Sequence, residues 1–226
     1  MHALILADGD APTRAELDAA WPAWDDGVRL VVAADGGARH AAGLGVRIDR
    51  WVGDGDSIAD VTLRALQRAG VAIERVPTDK DESDTELAVL VALAAGAHRL
   101  SIVGALGGPR LDHGLANVAM LALPELVGLD VRIVAGTTRI RLLTGSDPGG
   151  APVGCDLTGR IGDLVSLLPL GGDIVGVTTT GLRYTLRDEA LRLGRTRGLS
   201  NVRDTSTARV TLRTGRLLVI EAPATL

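Results

Sequence analysis

Two acidic segments carry the residues best suited to chemistry: Gly53-Asp54-Gly55-Asp56-Ser57 and Asp79-Lys80-Asp81-Glu82-Ser83-Asp84-Thr85-Glu86. A glycine between two aspartates leaves the backbone free to turn both carboxylates toward one point. Hard oxygen donors of this kind suit Mg²⁺, which commonly takes one or two carboxylates plus substrate phosphates. Lys80 is the only lysine among 24 basic residues, and it sits inside the second acidic run. Lysine is a compact point charge where arginine is a flat fork, so a lone lysine among carboxylates fits a place shared by phosphate and metal. Two like charges about 4 Å apart repel by roughly 4 kcal/mol at an effective dielectric near 20. Lys80 alone cannot neutralise the set, so a divalent cation is the natural partner. The plainer alternative is a solvated Asp/Gly turn ahead of a helix.

These segments need a scaffold that collects them. Ala3–Ala7, Leu30–Ala34, Trp51–Val52, Ala72–Val76, Leu100–Val103 and Val131–Ala135 read as short apolar strands. Asp60–Ala69, Thr85–Ala95 and Leu111–Ala122 carry helical spacing between them. Continuous apolar strands alternating with helices imply a mostly parallel sheet covered on both faces. Ligands of such sheets bind at the carboxyl ends of the strands. The motifs fall there: Asp35-Gly36-Gly37, the Asp54/Asp56 loop, the Lys80 segment, and Gly107-Gly108-Pro109-Arg110-Leu111-Asp112-His113. Gly36-Gly37 would let backbone N–H groups approach an anion at a helix start. Arg110 could clamp phosphate bidentately; alternatively Asp112 caps a helix and Arg110 is simply solvated. Ser83 and Glu86 have the spacing of a capping box, which leaves Asp84 on the first helical turn as the third candidate metal ligand.

Beyond Thr144 the character changes. Residues 145–152, Gly-Ser-Asp-Pro-Gly-Gly-Ala-Pro, read as a linker or long turn. Strand-like runs follow at Leu164–Leu168, Ile174–Thr179, Arg209–Arg213 and Leu217–Glu221, with a possible turn near Arg187–Leu191. The expected organisation is an α/β domain over 1–144 and a smaller antiparallel β-sandwich or barrel over 145–226. Ser200-Asn201 offers a hydroxyl and an amide suited to a neutral polar ring, although such pairs also make ordinary turns.

Composition bounds the partners. With three Trp, one Tyr and no Phe, a base-stacking platform for single-stranded nucleic acid is disfavoured. A net charge of −4 argues against a broad nucleic-acid surface. The longest nearly apolar stretch, Leu87–Ala97, is far shorter than a membrane span. No basic-flanked signal is visible and the single Cys155 suits a reducing compartment, so a cytoplasmic protein is expected. Cys155 and His2, His40 and His98 show no catalytic pattern, and there is no Gly-X-Ser-X-Gly elbow.

In order along nearly the whole chain, Asp-Gly-Gly at 35–37, Gly-Asp-Gly-Asp-Ser at 53–57, the 79–86 run, Gly-Gly-Pro-Arg-Leu-Asp-His at 107–113 and Gly-Leu-Ser-Asn at 198–201 resemble the thiamine pyrophosphokinase family. The resemblance implies an α/β nucleotide-binding domain and a β-rich thiamine-binding domain, working as a homodimer with sites between subunits. It implies transfer of a pyrophosphoryl group from ATP to the thiamine hydroxyl, with Mg²⁺, giving thiamine diphosphate and AMP. By position, Asp54, Asp56 and Asp84 resemble the metal-binding aspartates. Asp35, Gly36, Gly37, Gly107, Gly108, Arg110 and Asp112 resemble the ATP segments, and Ser200 and Asn201 the thiamine-contacting pair. Lys80 and Arg110 would steady the charge on the transferred and leaving phosphates, and Asp81 or a neighbouring carboxylate would orient the hydroxyl. Tyr184 and the three tryptophans are the candidates to stack on thiamine. Two departures from the family pattern are Ser83, where Thr is common, and Val202-Arg203 after Ser-Asn. The competing functions are another Mg²⁺-dependent nucleotide transferase and a non-catalytic nucleotide- or thiamine-binding regulator.

Overall fold

The structure is a computed structural model that describes residues 1–146 and 149–224. It divides into two compact units, residues 1–137 and 138–226. The first unit runs β1 (His2–Leu6), α1 (Arg14–Ala20), β2 (Val28–Ala34), a 3₁₀ turn (Asp35–Arg39) leading into α2 (His40–Leu44), β3 (Arg50–Gly53), α3 (Asp60–Arg68), β4 (Ala72–Arg75), α4 (Asp84–Ala94), β5 (Arg99–Val103), α5 (Leu111–Met120) and β6 (Asp130–Ala135). All pairings among these strands are parallel, in the order β4-β3-β2-β1-β5-β6.

Most of these strands follow from their composition; β4, Ala-Ile-Glu-Arg, is the partly exposed edge of the sheet. Every residue of β1 is buried, as expected for a strand covered on both faces. The six strands and three helices expected in this half are all present, with shifts of one or two residues at their ends. Helix α1 was not expected, yet its signal is plain. Thr13 Oγ1 accepts from the Glu16 N–H, and Glu16 returns the bond to Thr13, a complete capping box. At α4 the Ser83 half of the expected box forms, with Ser83 Oγ accepting from the Glu86 N–H at 3.2 Å. Trp21, Trp24 and Trp51 all lie in the core of this unit, 6%, 7% and 0% exposed.

The second unit is antiparallel: β7 (Thr138–Ser146), β8 (Val153–Thr158), β9 (Leu164–Pro169), β10 (Ile174–Thr180), β11 (Glu189–Leu191), β12 (Asn201–Val202), β13 (Thr207–Leu212) and β14 (Thr214–Ala222). β14 pairs with both β7 and β9, and β12 extends that group; β10 pairs with β11 and β13, and β13 with β8. Both groups close on one core that includes Leu157, Leu167, Ile174, Val177, Val210, Leu217 and Val219.

The division falls at Thr137/Thr138, ahead of the composition change at 144/145, because Thr138–Ser146 is a strand in register with Thr214–Glu221. Gly145 and Ser146 therefore belong to β7 and not to a linker; Asp147 and Pro148 lie outside the described residues. The turn expected at Arg187–Leu191 ends in strand β11. Glu221, 1% exposed, accepts from Arg139 at 2.8 Å, Arg141 at 3.0 Å and Arg203 at 2.9 Å. Arg203 also donates to the Leu157 carbonyl at 2.8 Å. The departure at Arg203 is thus a buried structural residue.

Candidate active site

In the first unit the loops after β1 to β5 surround one cleft of about 500 Å³. The chain runs outward from β1 through β2 and β3 to β4, then returns to place β5 on the other side of β1. The gap between the β1 and β5 loops is the topological switch point, where parallel sheets of this kind bind ligands.

Asp35 is the residue after β2. It is 3% exposed and adopts φ +41°, an uncommon conformation for a non-glycine residue. Strain of this sort persists where the surroundings enforce it, often at functional positions. Asp35 Oδ2 accepts from the Ser57 N–H at 3.0 Å, while Oδ1 is buried without a hydrogen-bond partner. Burial raises its pKa to about 6; the Ser57 bond opposes this, and the carboxyls of Asp56 and Asp84 add to it.

Asp54 follows β3, and its Oδ1 accepts from the Asp56 N–H at 3.0 Å. That bond, with the Lys80 charge assisting, holds its pKa below the ordinary carboxylate value. Asp84 opens α4, and burial pushes its pKa up against the pull of Lys80. Lys80 bridges the pair, its Nζ 3.7 Å from Asp54 and 3.2 Å from Asp84. One carboxylate oxygen from each of Asp35, Asp54 and Asp84 can be chosen so that all three lie within 4.8 Å of one another. Three hard anionic oxygens close together, with Asp35 Oδ1 and Asp84 Oδ1 both buried without a hydrogen-bond partner and one lysine paired with Asp54 and Asp84, match the donor set of a divalent cation.

The other expected positions divide. Asp56 lines the cleft, its carboxylate accepting from Ser57 Oγ at 2.8 Å. Gly107, Gly108 and Arg110 line it too. Asp112 does not; it forks with Arg110 at 2.9 and 2.6 Å, which drives its pKa far below the usual range. Arg110, and not Asp112, occupies the N-cap position of α5. Gly36 and Gly37 are buried and are not among the lining residues. A Cβ at Gly37 would stand 2.1 Å from the Leu6 carbonyl, so close strand packing explains that glycine. Asp81 is exposed and likewise off the cleft wall.

The loop after β1, which carries no motif of its own, also reaches the cleft. Asp8 and Gly9 line the cleft, and Asp10 Oδ2 accepts from the Gly108 N–H at 3.1 Å. The available signal was position, since Asp8 closely follows a fully buried strand. His40, read as an ordinary histidine, has its Nε2 2.9 Å from the Gly9 carbonyl. Burial lowers its pKa, so the neutral ring donates there.

In the second unit a groove of about 400 Å³ is lined by Leu167, Tyr184, Leu186, Arg197, Leu199 and Asn201, among others. Asn201 is buried, accepts from the Tyr184 and Val202 N–H groups at 2.9 Å each, and donates to the Tyr184 carbonyl at 2.8 Å. Its amide therefore fixes the backbone of the β10–β11 loop at Tyr184. Ser200 adopts φ +55°, its N–H donating to Ser166 Oγ at 3.0 Å. Tyr184 is 64% exposed. With every tryptophan in the core of the first unit, Tyr184 is the one aromatic open to a ring. Cys155 is partly buried, and burial raises its thiol pKa, consistent with an inert residue.

Comparison with known proteins accords with this division. Residues 23–133 match the model for the thiamin pyrophosphokinase catalytic domain, and residues 154–218 that for its vitamin B1 binding domain. Together these span well over half of the chain. The chain belongs to the thiamin pyrophosphokinase family. It is 30% identical to the Bacillus subtilis thiamine pyrophosphokinase over 149 residues, which is 66% of either chain. It is 25% identical to thiamine pyrophosphokinase 1 of Oryza sativa over 83% of its own length and 76% of the relative's. The crystal structure of the Bacillus subtilis protein superimposes with a TM-score of 0.82 at 23% identity, covering both chains completely. ATP-dependent pyrophosphorylation of thiamine is therefore the reaction to explain, and neither a different nucleotide transferase nor a non-catalytic regulator is favoured. No helix among the described residues is long and apolar enough to cross a membrane.

Proposed function

We propose that the chain binds ATP in the first-unit cleft with its polyphosphate over Asp35, Asp54, Asp84 and Lys80, and transfers the terminal pyrophosphoryl group to the hydroxyl of thiamine. The observation carrying this is the convergence of one carboxylate oxygen from each of Asp35, Asp54 and Asp84, with Lys80 pairing with the last two and Asp35 Oδ1 buried without a hydrogen-bond partner. Asp35, Asp54 and Asp84 would hold Mg²⁺. Asp35 takes the place first expected for Asp56, whose carboxyl stands beside Asp35 and orders the Ser57 turn. When bound, the ion offsets phosphate charge and orients the triphosphate.

The chain's own groups do the rest. Phosphoryl-type transfer needs positioning and charge stabilisation more than covalent chemistry. The Lys80 ammonium, held by Asp54 and Asp84, has three donors and can turn one toward the transferred group. Arg110 at the cleft wall can exchange its exposed Asp112 fork for a phosphate oxygen. Gly107 and Gly108 line the wall without side chains to obstruct the nucleotide. Asp81 and Asp112, away from the wall, are assigned no contact with ATP, and Gly36 and Gly37 serve close packing against Asp8 and Leu6.

Thiamine is placed on the second-unit groove, with Tyr184 against a ring and Ser200 free to offer its hydroxyl. Each unit thus supplies one substrate's contacts. We assign the enzyme to the cytoplasm, as a homodimer. Incubation with ATP, Mg²⁺ and thiamine, with products identified by mass, tests the reaction. Thiamine diphosphate and AMP in equal amounts are expected; thiamine monophosphate and ADP would refute it.

A further inference from the structure

Asp8 is a carboxylate that the fold goes to some length to fix on the cleft wall. Its side chain lies against Gly36, where a Cβ would stand 2.3 Å from Oδ1 and 2.8 Å from Oδ2, so a side chain at that position would displace the carboxylate. Arg39 pairs with Asp8 Oδ1 and donates to the carbonyls of Asp8, of Gly9 at 3.1 Å and of Gly36 at 3.3 Å. The neutral His40 ring holds Gly9 from the same helical segment. The Gly9 N–H donates to the Gly104 carbonyl at 2.7 Å and the Asp10 N–H to Leu106 at 2.8 Å, tying this loop to the β5 loop across the switch point.

A bare carboxylate facing a polyphosphate would repel it. Paired with Arg39, Asp8 is close to neutral as a unit while its other oxygen still accepts hydrogen bonds. It therefore suits a neutral donor of the substrate. The metal candidates and Lys80 come from the loops after β2, β3 and β4, which puts the phosphates on that side. The remainder of a nucleotide must then extend along the β1 and β5 loops, past Asp8, Gly9, Gly104 and Ala105.

We propose that Asp8, held by Arg39, accepts a hydrogen bond from the ribose hydroxyls of the nucleotide and makes the cleft select ribonucleotides. This rests on the cleft being the ATP site. The test compares kcat/KM for ATP, 2′-deoxy-ATP and 3′-deoxy-ATP in wild type, Asp8→Ala, Asp8→Asn and Arg39→Met. A lost hydrogen bond to a charged acceptor corresponds to about ten- to a hundredfold. Wild type is expected to favour ATP by that margin over at least one deoxy analogue. Asp8→Ala should lose a similar factor with ATP, mainly in KM, and use that analogue as well as ATP. Asp8→Asn, which keeps an acceptor, should retain part of the preference. Arg39→Met should weaken ATP and the analogues alike, through freed charge. Equal use of all three nucleotides by wild type, or undiminished preference in Asp8→Ala, overturns the proposal. Absence of AMP formation by wild type would instead overturn the cleft assignment itself.

Discussion

Replacing Asp35 by Asn should make the metal-free protein more stable while removing its activity. Asp35 is buried after β2 with one oxygen unpartnered, and its pKa stands at about 6 against an ordinary 3.8. A shift of about two units corresponds to roughly 3 kcal/mol of preference for the protonated form. Water in the adjoining cleft screens part of this, leaving about 1–2 kcal/mol. The sign follows from the raised folded-state pKa. Below about pH 4 both states carry the proton and nothing is lost; between pH 4 and 6 the unfolded chain releases it first, and stability falls. Above pH 6 the full cost is present. Asparagine keeps an oxygen for the Ser57 N–H and carries no charge. In EDTA at pH 7.5 its melting point should exceed wild type by about 3–6 °C, the gap closing toward pH 4. All three tryptophans lie in the first-unit core, so their fluorescence reports on that unit alone. Added Mg²⁺ should reverse the order, since ligand binding at about a hundred times Kd stabilises wild type by about 2.7 kcal/mol and the variant hardly at all. An Asn variant less stable than wild type at pH 7.5, or a gap independent of pH, would refute the reasoning.

Lys80→Met leaves Asp54 and Asp84 facing each other without their bridge; turnover should fall at least a hundredfold, and Mg²⁺ should raise its melting point more than it does for wild type. Glu221→Leu strands three arginines around a buried apolar side chain, and chemical denaturation should show the second unit weakened by about 3–5 kcal/mol. Thr13→Ala removes one half of a complete capping box and should cost about 1 kcal/mol in first-unit stability, read by tryptophan fluorescence, without changing kcat. Tyr184→Ala should raise KM for thiamine severalfold and leave KM for ATP unchanged, because Tyr184 lies in the second-unit groove and the ATP cleft is lined wholly by the first unit.

The first unit was legible because most of its strands are short apolar runs alternating with helix-length apolar segments, and Ser83 caps α4. The acidic loops were legible because strand-ends in such a sheet converge. What the sequence did not disclose is which carboxylates face inward. Asp35 and Asp56 each sit beside a glycine, and only burial after β2 and the Ser57 bond put Asp35 in the cluster while Asp56 stays exposed. Gly36 and Gly37 had the composition of an anion-binding turn, but their lack of side chains answers close contacts with Asp8 and Leu6. In the second unit β7 and β8 carry glycine, threonine and charge, so their strand character comes from pairing with β14 and β13 and not from local pattern. Asn201, singled out in the sequence as one of a thiamine-contacting pair, has its amide bonded to the Tyr184 backbone, which no local pattern announces.

Binding of Mn²⁺, followed by electron paramagnetic resonance in wild type and in Asp35→Asn, Asp54→Asn, Asp84→Asn and Asp56→Asn, tests the central claim most directly. One tight ion per chain in the presence of a non-hydrolysable ATP analogue is expected. Each of the first three variants should weaken it by an order of magnitude or more, with Asp56→Asn affected least. Unchanged affinity in Asp35→Asn and Asp84→Asn would contradict the account.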